Sequence, residues 1–141
     1  MSTQKADLFE CRLNNSIGEL ARATNEVNGF LDARAATADA CFVVNLALEE
    51  IVTNIIKYGY DDGAVHEIIV RITPAPGLLE LCIEDDGHPF NPLDAAKPDL
   101  SKPVEDRDPG GLGIYLIIQM TRQVAYERSG GLNSLVVTVS N

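Results

Sequence analysis

The chain has no tryptophan, two histidines and three cysteines among its 141 residues. Cys11, Cys41 and Cys82 lie far apart with no CxxC pair, which excludes a zinc ribbon and a disulfide-stapled scaffold. Each is expected as a small buried hydrophobe in a reducing compartment, with apolar residues next to Cys41 and Cys82 and one position further out from Cys11. Two histidines offer little to a Ser-His-Asp hydrolase, and no GxSxG elbow is present. His66-Glu67 does not open a zinc HExxH motif, because Val70 stands where the second histidine belongs. Basic residues are scarce, 11 against 21 acidic, for a net charge of −10. That speaks against nucleic acid or an anionic membrane as a direct partner. No apolar run approaches the ~18 residues needed to span a bilayer, and the polar start Met1–Asp7 is unlike a secretory leader. The expectation is a cytoplasmic protein of one domain, residues 1–141, with 45% hydrophobic residues to build its core.

Periodicity divides the chain into elements. Residues Leu8–Leu13 alternate as a short strand. Asn14-Asn15-Ser16 offers a helix N-cap, and Glu19 stands at capping-box spacing from Ser16. A longer helix is expected from about Ala36 to Lys57, ended by the turn Gly59–Gly63. Glu67–Thr73 and Leu78–Glu84 alternate as a hairpin around Pro74–Gly77. Five of the seven prolines fall between Asp85 and Pro109, where apolar residues almost vanish. This stretch predicts a long loop with a helical turn near Leu93–Ala96, of the kind that serves as a lid over about residues 88–109. Gly110–Gly113 then opens an apolar helix, Ile114 to about Thr121, and a last hairpin, Gln123–Arg128 and Ser134–Ser140, turns at Gly130-Gly131. Helices are too few for a doubly wound parallel sheet. The order predicts an α+β fold, a two-layer α/β sandwich with a mixed, mostly antiparallel sheet and helices on one face.

Three constellations can carry chemistry. Glu50 and Asn54 stand one turn apart on the long helix, so their side chains emerge on one flank. Asparagine is a poor helix-interior residue, and its amide oxygen beside a carboxylate suits a hard cation such as Mg²⁺. Asp85 ends a strand and is followed by Gly87 in a turn. Such a carboxylate at a pocket mouth can accept a hydrogen bond from the amine of a base, with Gly87 leaving room for a planar ring; an ordinary Asp-Gly turn has the same look. Third, Gly110-Gly111-Leu112-Gly113 places bare N–H groups at the positive end of a helix, a site for phosphate or a flexible hinge. The run is neither a P-loop nor a complete GxGxxG, since Leu116 stands where the third glycine belongs. His88 reads as a solvent-exposed loop residue, and Tyr58 and Tyr60 as side chains packed around the helix end.

Glu50-Ile-Val-Thr-Asn54, Asp85-Asp-Gly-His-Pro-Phe90 and Gly111-Leu-Gly113, in this order, resemble the signature of the GHKL ATPase domains. Within that group the chain looks most like the stand-alone anti-sigma-factor serine/threonine kinases, over about Phe9–Val139. The resemblance implies a histidine-kinase/Hsp90-like ATPase fold that binds ATP with Mg²⁺. It makes Asn54 the metal ligand and Asp85 the acceptor of the adenine amino group. Gly87 makes room beside the base, while Arg107 and the run Gly110, Gly111, Leu112 and Gly113 meet the phosphates. Glu50 becomes the general base toward a serine hydroxyl. The implied partners are a sigma factor and an anti-sigma-factor antagonist that carries the serine, and the resemblance leaves room for a homodimer. The residue before the matching glutamate is commonly serine in these kinases and is Glu49 here. A nucleotide-dependent module that sequesters a partner without turnover is the alternative. A detached histidine-kinase catalytic domain or a metal hydrolase built on Glu49, Glu50 and Asp85 has less to support it.

Overall fold

The computed structural model describes residues 8–95, 101, 103 and 109–141. Its elements are β1 (Phe9–Asn14), α1 (Ile17–Ala33), α2 (Ala38–Tyr58), β2 (Glu67–Ala75), β3 (Leu78–Asp85), a 3-10 turn (Pro92–Ala95), α3 (Pro109–Met120), β4 (Gln123–Ser129) and β5 (Leu132–Ser140). Arg107 and much of the predicted lid lie outside the described residues. The strands form one five-stranded sheet in the order β1-β2-β3-β5-β4, every pairing antiparallel. No helix among the described residues is long and apolar enough to cross a membrane.

Alternation places the core. Ile68, Val70 and Ile72 on β2, Leu79, Leu81 and Ile83 on β3, and Leu135, Val137 and Val139 on β5 all turn to one face and are buried. Against them α2 lays Val44, Ala47, Leu48, Ile51 and Val52, with Leu20, Val27 and Leu31 of α1 beside it. Side chains such as these contribute roughly 1.5–3 kcal/mol each on burial, so the sheet-to-helix layer dominates the stability. Thr37 sets the start of α2, its hydroxyl accepting the Ala40 N–H at 3.1 Å.

Three local expectations are altered. The capping box at Ser16 does not form: Ser16 Oγ donates to Asn14 Oδ1 at 2.8 Å, and Glu19 receives the Asn14 N–H and the Arg22 guanidinium instead. A nearby arginine competes better for a carboxylate than a neutral amide does. Helix α3 starts at Pro109 rather than Ile114, so the glycine run is its first turn and not a loop before it. Proline suits that position, since it has no N–H to leave unpaired and its φ is preset. Of the cysteines only Cys11 is buried; Cys41 and Cys82 are half-buried, Cys82 because its place in β3 alternates to the outward face.

The chain leaves β3, passes over the end of β5 by way of the 3-10 turn and α3, and returns as β4. That crossing brings four things to one end of the sheet: the close of β3, the beginning of β5, the second half of α2 and the first turn of α3.

Candidate functional site

Asp85 continues the buried row Leu79, Leu81, Ile83, and Asn133 continues the row Val139, Val137, Leu135. The two face each other in register across β3 and β5. Both are polar at positions where the strands otherwise bury hydrocarbon, at 6% and 5% exposure. Burial of this kind is stable only when the polar groups are satisfied. Asp85 Oδ2 accepts the Gly87 N–H at 2.9 Å and the Asn133 amide at 3.1 Å. Oδ1 receives no donor among the described residues and is free to accept one from a ligand. Burial pushes the Asp85 carboxyl above the usual carboxylate range, while Asn133 and Gly87 pull it back toward ionisation.

The cavity in front of Asp85 has apolar walls, Ile51, Ile55, Ile83, Leu135, Phe90 and Pro92. Asn54 of α2 lines the same cavity. No partner among the described residues engages its side chain, so a mid-helix amide stands free to face a ligand. Walls of hydrocarbon with a few convergent polar groups are the ordinary make-up of a small-molecule site. Tyr58 is 68% exposed at the mouth rather than packed around the helix end, because the helix stops there and leaves its ring without a facing layer.

Glu50 lies one turn back along α2 and does not line that cavity. Its carboxylate rests against Gly113 of α3, where an added Cβ would stand 2.2 Å from Glu50 Cδ. The glycine lets α3 come this close to α2, and no hydrogen-bond donor among the described residues reaches the carboxylate. Burial first, and the neighbouring Glu49 carboxylate second, push the Glu50 carboxyl up, against the pull of Lys57. A base poised closer to neutrality is better matched to taking a proton. Gly110, Gly111 and half-buried Leu112 precede Gly113 in the same turn.

Gly87 is held by a second close approach. A Cβ there would meet the Gly59 carbonyl oxygen at 2.6 Å, and the adjacent His88 N–H donates to that same oxygen at 2.9 Å. So the end of α2 and the turn after β3 touch backbone to backbone. His66 reinforces the contact: its ring lies 2.8 Å from Asp62 and 3.2 Å from Asp86, with the Tyr60 ring stacked on it at 4.2 Å. Asp62 foremost, then Asp86, favour the charged imidazole. His88 is exposed, as expected, beside Asp61.

Sequence reasoning missed Asn133, Tyr126 and Arg128. Arg128 donates to the Gly87 carbonyl at 2.7 Å, so a guanidinium other than Arg107 stands at this end of the sheet. Tyr126 donates to Asn133 Oδ1 at 2.5 Å. Only Asn133 carried a signal: it has the parity of Leu135, Val137 and Val139, which marks a polar side chain on a core face.

The two-layer α+β sandwich thus sets an acidic residue and a free helical amide on one apolar cavity. The histidine kinase-like ATPase domain model matches residues 13–139. The chain belongs to that family. Among its relatives in this family, the serine/threonine-protein kinase BtrW of Bordetella bronchiseptica is 28% identical over 97 residues, covering 69% of this chain and 68% of the relative. The serine-protein kinase RsbW of Halalkalibacterium halodurans is 27% identical over 111 residues, covering 75% and 67%. RsbW of Bacillus subtilis is 25% identical over the same length, covering 75% and 69%. A crystal structure of the RsbU and RsbW domains of a Mycobacterium tuberculosis protein superposes with a TM-score of 0.68 at 15% identity over 94% of this chain. The chain spans 32% of that longer molecule, and the likeness establishes the ATPase-domain fold.

Proposed function

We propose that this ATPase domain binds ATP and transfers its γ-phosphoryl group to a serine of an anti-sigma-factor antagonist, acting as an anti-sigma-factor kinase in the cytoplasm. The observation that carries the reading is the grouping at one end of the sheet. Asp85 and Asn54 share one apolar cavity, and Glu50 stands one helical turn away under the first turn of α3. Relatives named as serine-protein kinases support it.

The chemistry asked of such a site is positioning and charge stabilisation. Asp85 Oδ1 accepts a hydrogen bond from the adenine amino group, and the isoleucine and leucine walls cover the ring faces. Backbone N–H groups of Gly110 and Gly111, in the first turn of α3, hold phosphate oxygens. The free amide oxygen of Asn54 is a hard ligand that would hold Mg²⁺, an ion suited to oxygen ligands. When bound, it neutralises charge on the phosphates. Glu50 takes the proton of the serine hydroxyl as its oxygen bonds to the γ-phosphorus; the bond from that phosphorus to the β,γ-bridging oxygen breaks, and ADP leaves. A sigma factor is the second partner, held by binding.

The test is radiolabelled transfer from Mg-ATP to co-purified serine-bearing partners, with calorimetry of ATP alongside. Glu50→Gln is expected to keep ATP affinity near wild type and lower transfer by about 10²-fold or more. Glu49→Gln, on the exposed neighbour, is expected to leave both unchanged at neutral pH. Wild type that binds Mg-ATP and transfers nothing would leave a nucleotide-gated sequestering module in place of a kinase.

A further inference from the structure

Asn133 belongs to none of the sequence motifs, yet its amide is pinned on both sides. Nδ2 donates to Asp85 Oδ2 at 3.1 Å and to the His88 carbonyl at 2.8 Å. Oδ1 accepts the Tyr126 hydroxyl at 2.5 Å and the Phe90 N–H at 3.5 Å. These partners assign the amide: turned over, its oxygen would face a carboxylate and a carbonyl, and its NH₂ would face an N–H.

The consequence falls on Asp85. With the Gly87 N–H at 2.9 Å as well, Oδ2 already holds two donors. A carboxylate with both oxygens open takes guanine by its N1–H and N2–H as a parallel pair, as it takes a guanidinium. Adenine offers a single amino group at that edge and needs one acceptor. A carboxylate with one oxygen filled therefore serves adenine fully and guanine by half. Guanine would bury a donor without a partner, which costs more than the missing bond alone.

We propose that Asn133 is the residue that sets the base preference: by filling Asp85 Oδ2 it leaves one acceptor facing the cavity, and so favours adenine over guanine nucleotides. This rests on the reading of Asp85 as the base contact. Asn133 acts through Asp85 and is a positioning residue. Tyr126 is its support, holding the amide oxygen away from the carboxylate.

Calorimetry of Mg-ATP and Mg-GTP on the full chain, wild type against Asn133→Leu, tests it. Leucine has the same branched heavy-atom skeleton as asparagine and donates nothing. Wild type is expected to prefer ATP, and in Asn133→Leu the ratio of the two dissociation constants is expected to narrow by about 10-fold or more. A residue that merely braced the fold would weaken both nucleotides alike, so equal losses with an unchanged ratio overturn the proposal. Wild type that binds GTP as tightly as ATP overturns it too. Should Asn133→Leu fail to fold, Tyr126→Phe decides the matter: it removes one hydroxyl, and is expected to narrow the ratio by about 3-fold, where a flat ratio overturns. A folded Asp85→Asn that keeps full ATP affinity, by contrast, removes the base-contact reading itself.

Discussion

A carboxylate buried at the end of two apolar rows is a cost to the fold that its ligand can offset. Asp85 shows this at the scale of one residue. Its folded-state proton affinity is raised by burial. The folded protein therefore takes up that proton before the unfolded chain does, so the stability it lends is present at acid pH and lost as pH rises through the folded value. Asp85→Asn should remove this slope. The new amide can turn its oxygen to the Gly87 N–H and the Asn133 NH₂, which keeps both hydrogen bonds, and it then presents an NH₂ to the cavity. Donor would face donor. The expected outcome is a thermal midpoint at neutral pH about 2–4 °C higher, on the order of 1 kcal/mol for a chain of this size. ATP and ADP affinity should fall together. Unfolding scans at several pH values beside calorimetry check both halves, and a variant that is both less stable and equally tight for nucleotide would contradict them.

Between elements, the contact that matters most is α2 against α3. At Gly113 a glycine of α3 is set against a charged side chain, the Glu50 carboxylate. Within a helix, alanine is favoured over glycine by about 1 kcal/mol. Gly113→Ala should therefore help α3 as an isolated helix. Its Cβ, however, must displace the Glu50 carboxylate, the mobile end of a flexible side chain. The expected result is a thermal midpoint close to wild type with phosphoryl transfer reduced by about 10-fold or more, since a base moved by an ångström loses reach. Transfer equal to wild type would show that the Glu50 position seen here is not the one used. The backbone contact of Gly87 on Gly59 is of a different kind: a carbonyl cannot swing away as a carboxylate can, so a side chain at Gly87 would force the two loops apart.

For the whole molecule, nucleotide and fold are linked by mass action. A ligand at about a hundredfold its dissociation constant stabilises the folded state by about 2.7 kcal/mol. At about 2–4 °C per kcal/mol that is a rise of roughly 5–10 °C in the thermal midpoint. ATP in chelator should supply part of the rise through Asp85, and added Mg²⁺ the remainder through Asn54. Asn54→Ala is expected to keep the first part and lose the second. Thermal scans with and without Mg²⁺ separate them, and an increment that survives in Asn54→Ala would assign the metal elsewhere.

Much of this was legible in the residues themselves. Alternation located the strands, the 3.6-residue stripe located α2, and the approximate end of β3 at Asp85 followed from the glycine after it. The spacing of Glu50 and Asn54 placed them on one flank because a helix has a fixed pitch. Even Asn133 showed its face, by sharing parity with Leu135. What only the tertiary structure decided is which of these groups meet. Asp85 opposes Asn133 because burial of the apolar rows sets the register of β3 and β5, and a slip of one residue would turn the slipped strand's side chains to the other face. Glu50 lies under Gly113, and not in the cavity with Asn54, because α3 crosses beside α2 on its way from β3 to β4. The strand order and the crossing that bring these distant groups together are chosen by the packing of the whole core, and no local stretch of sequence contains that information.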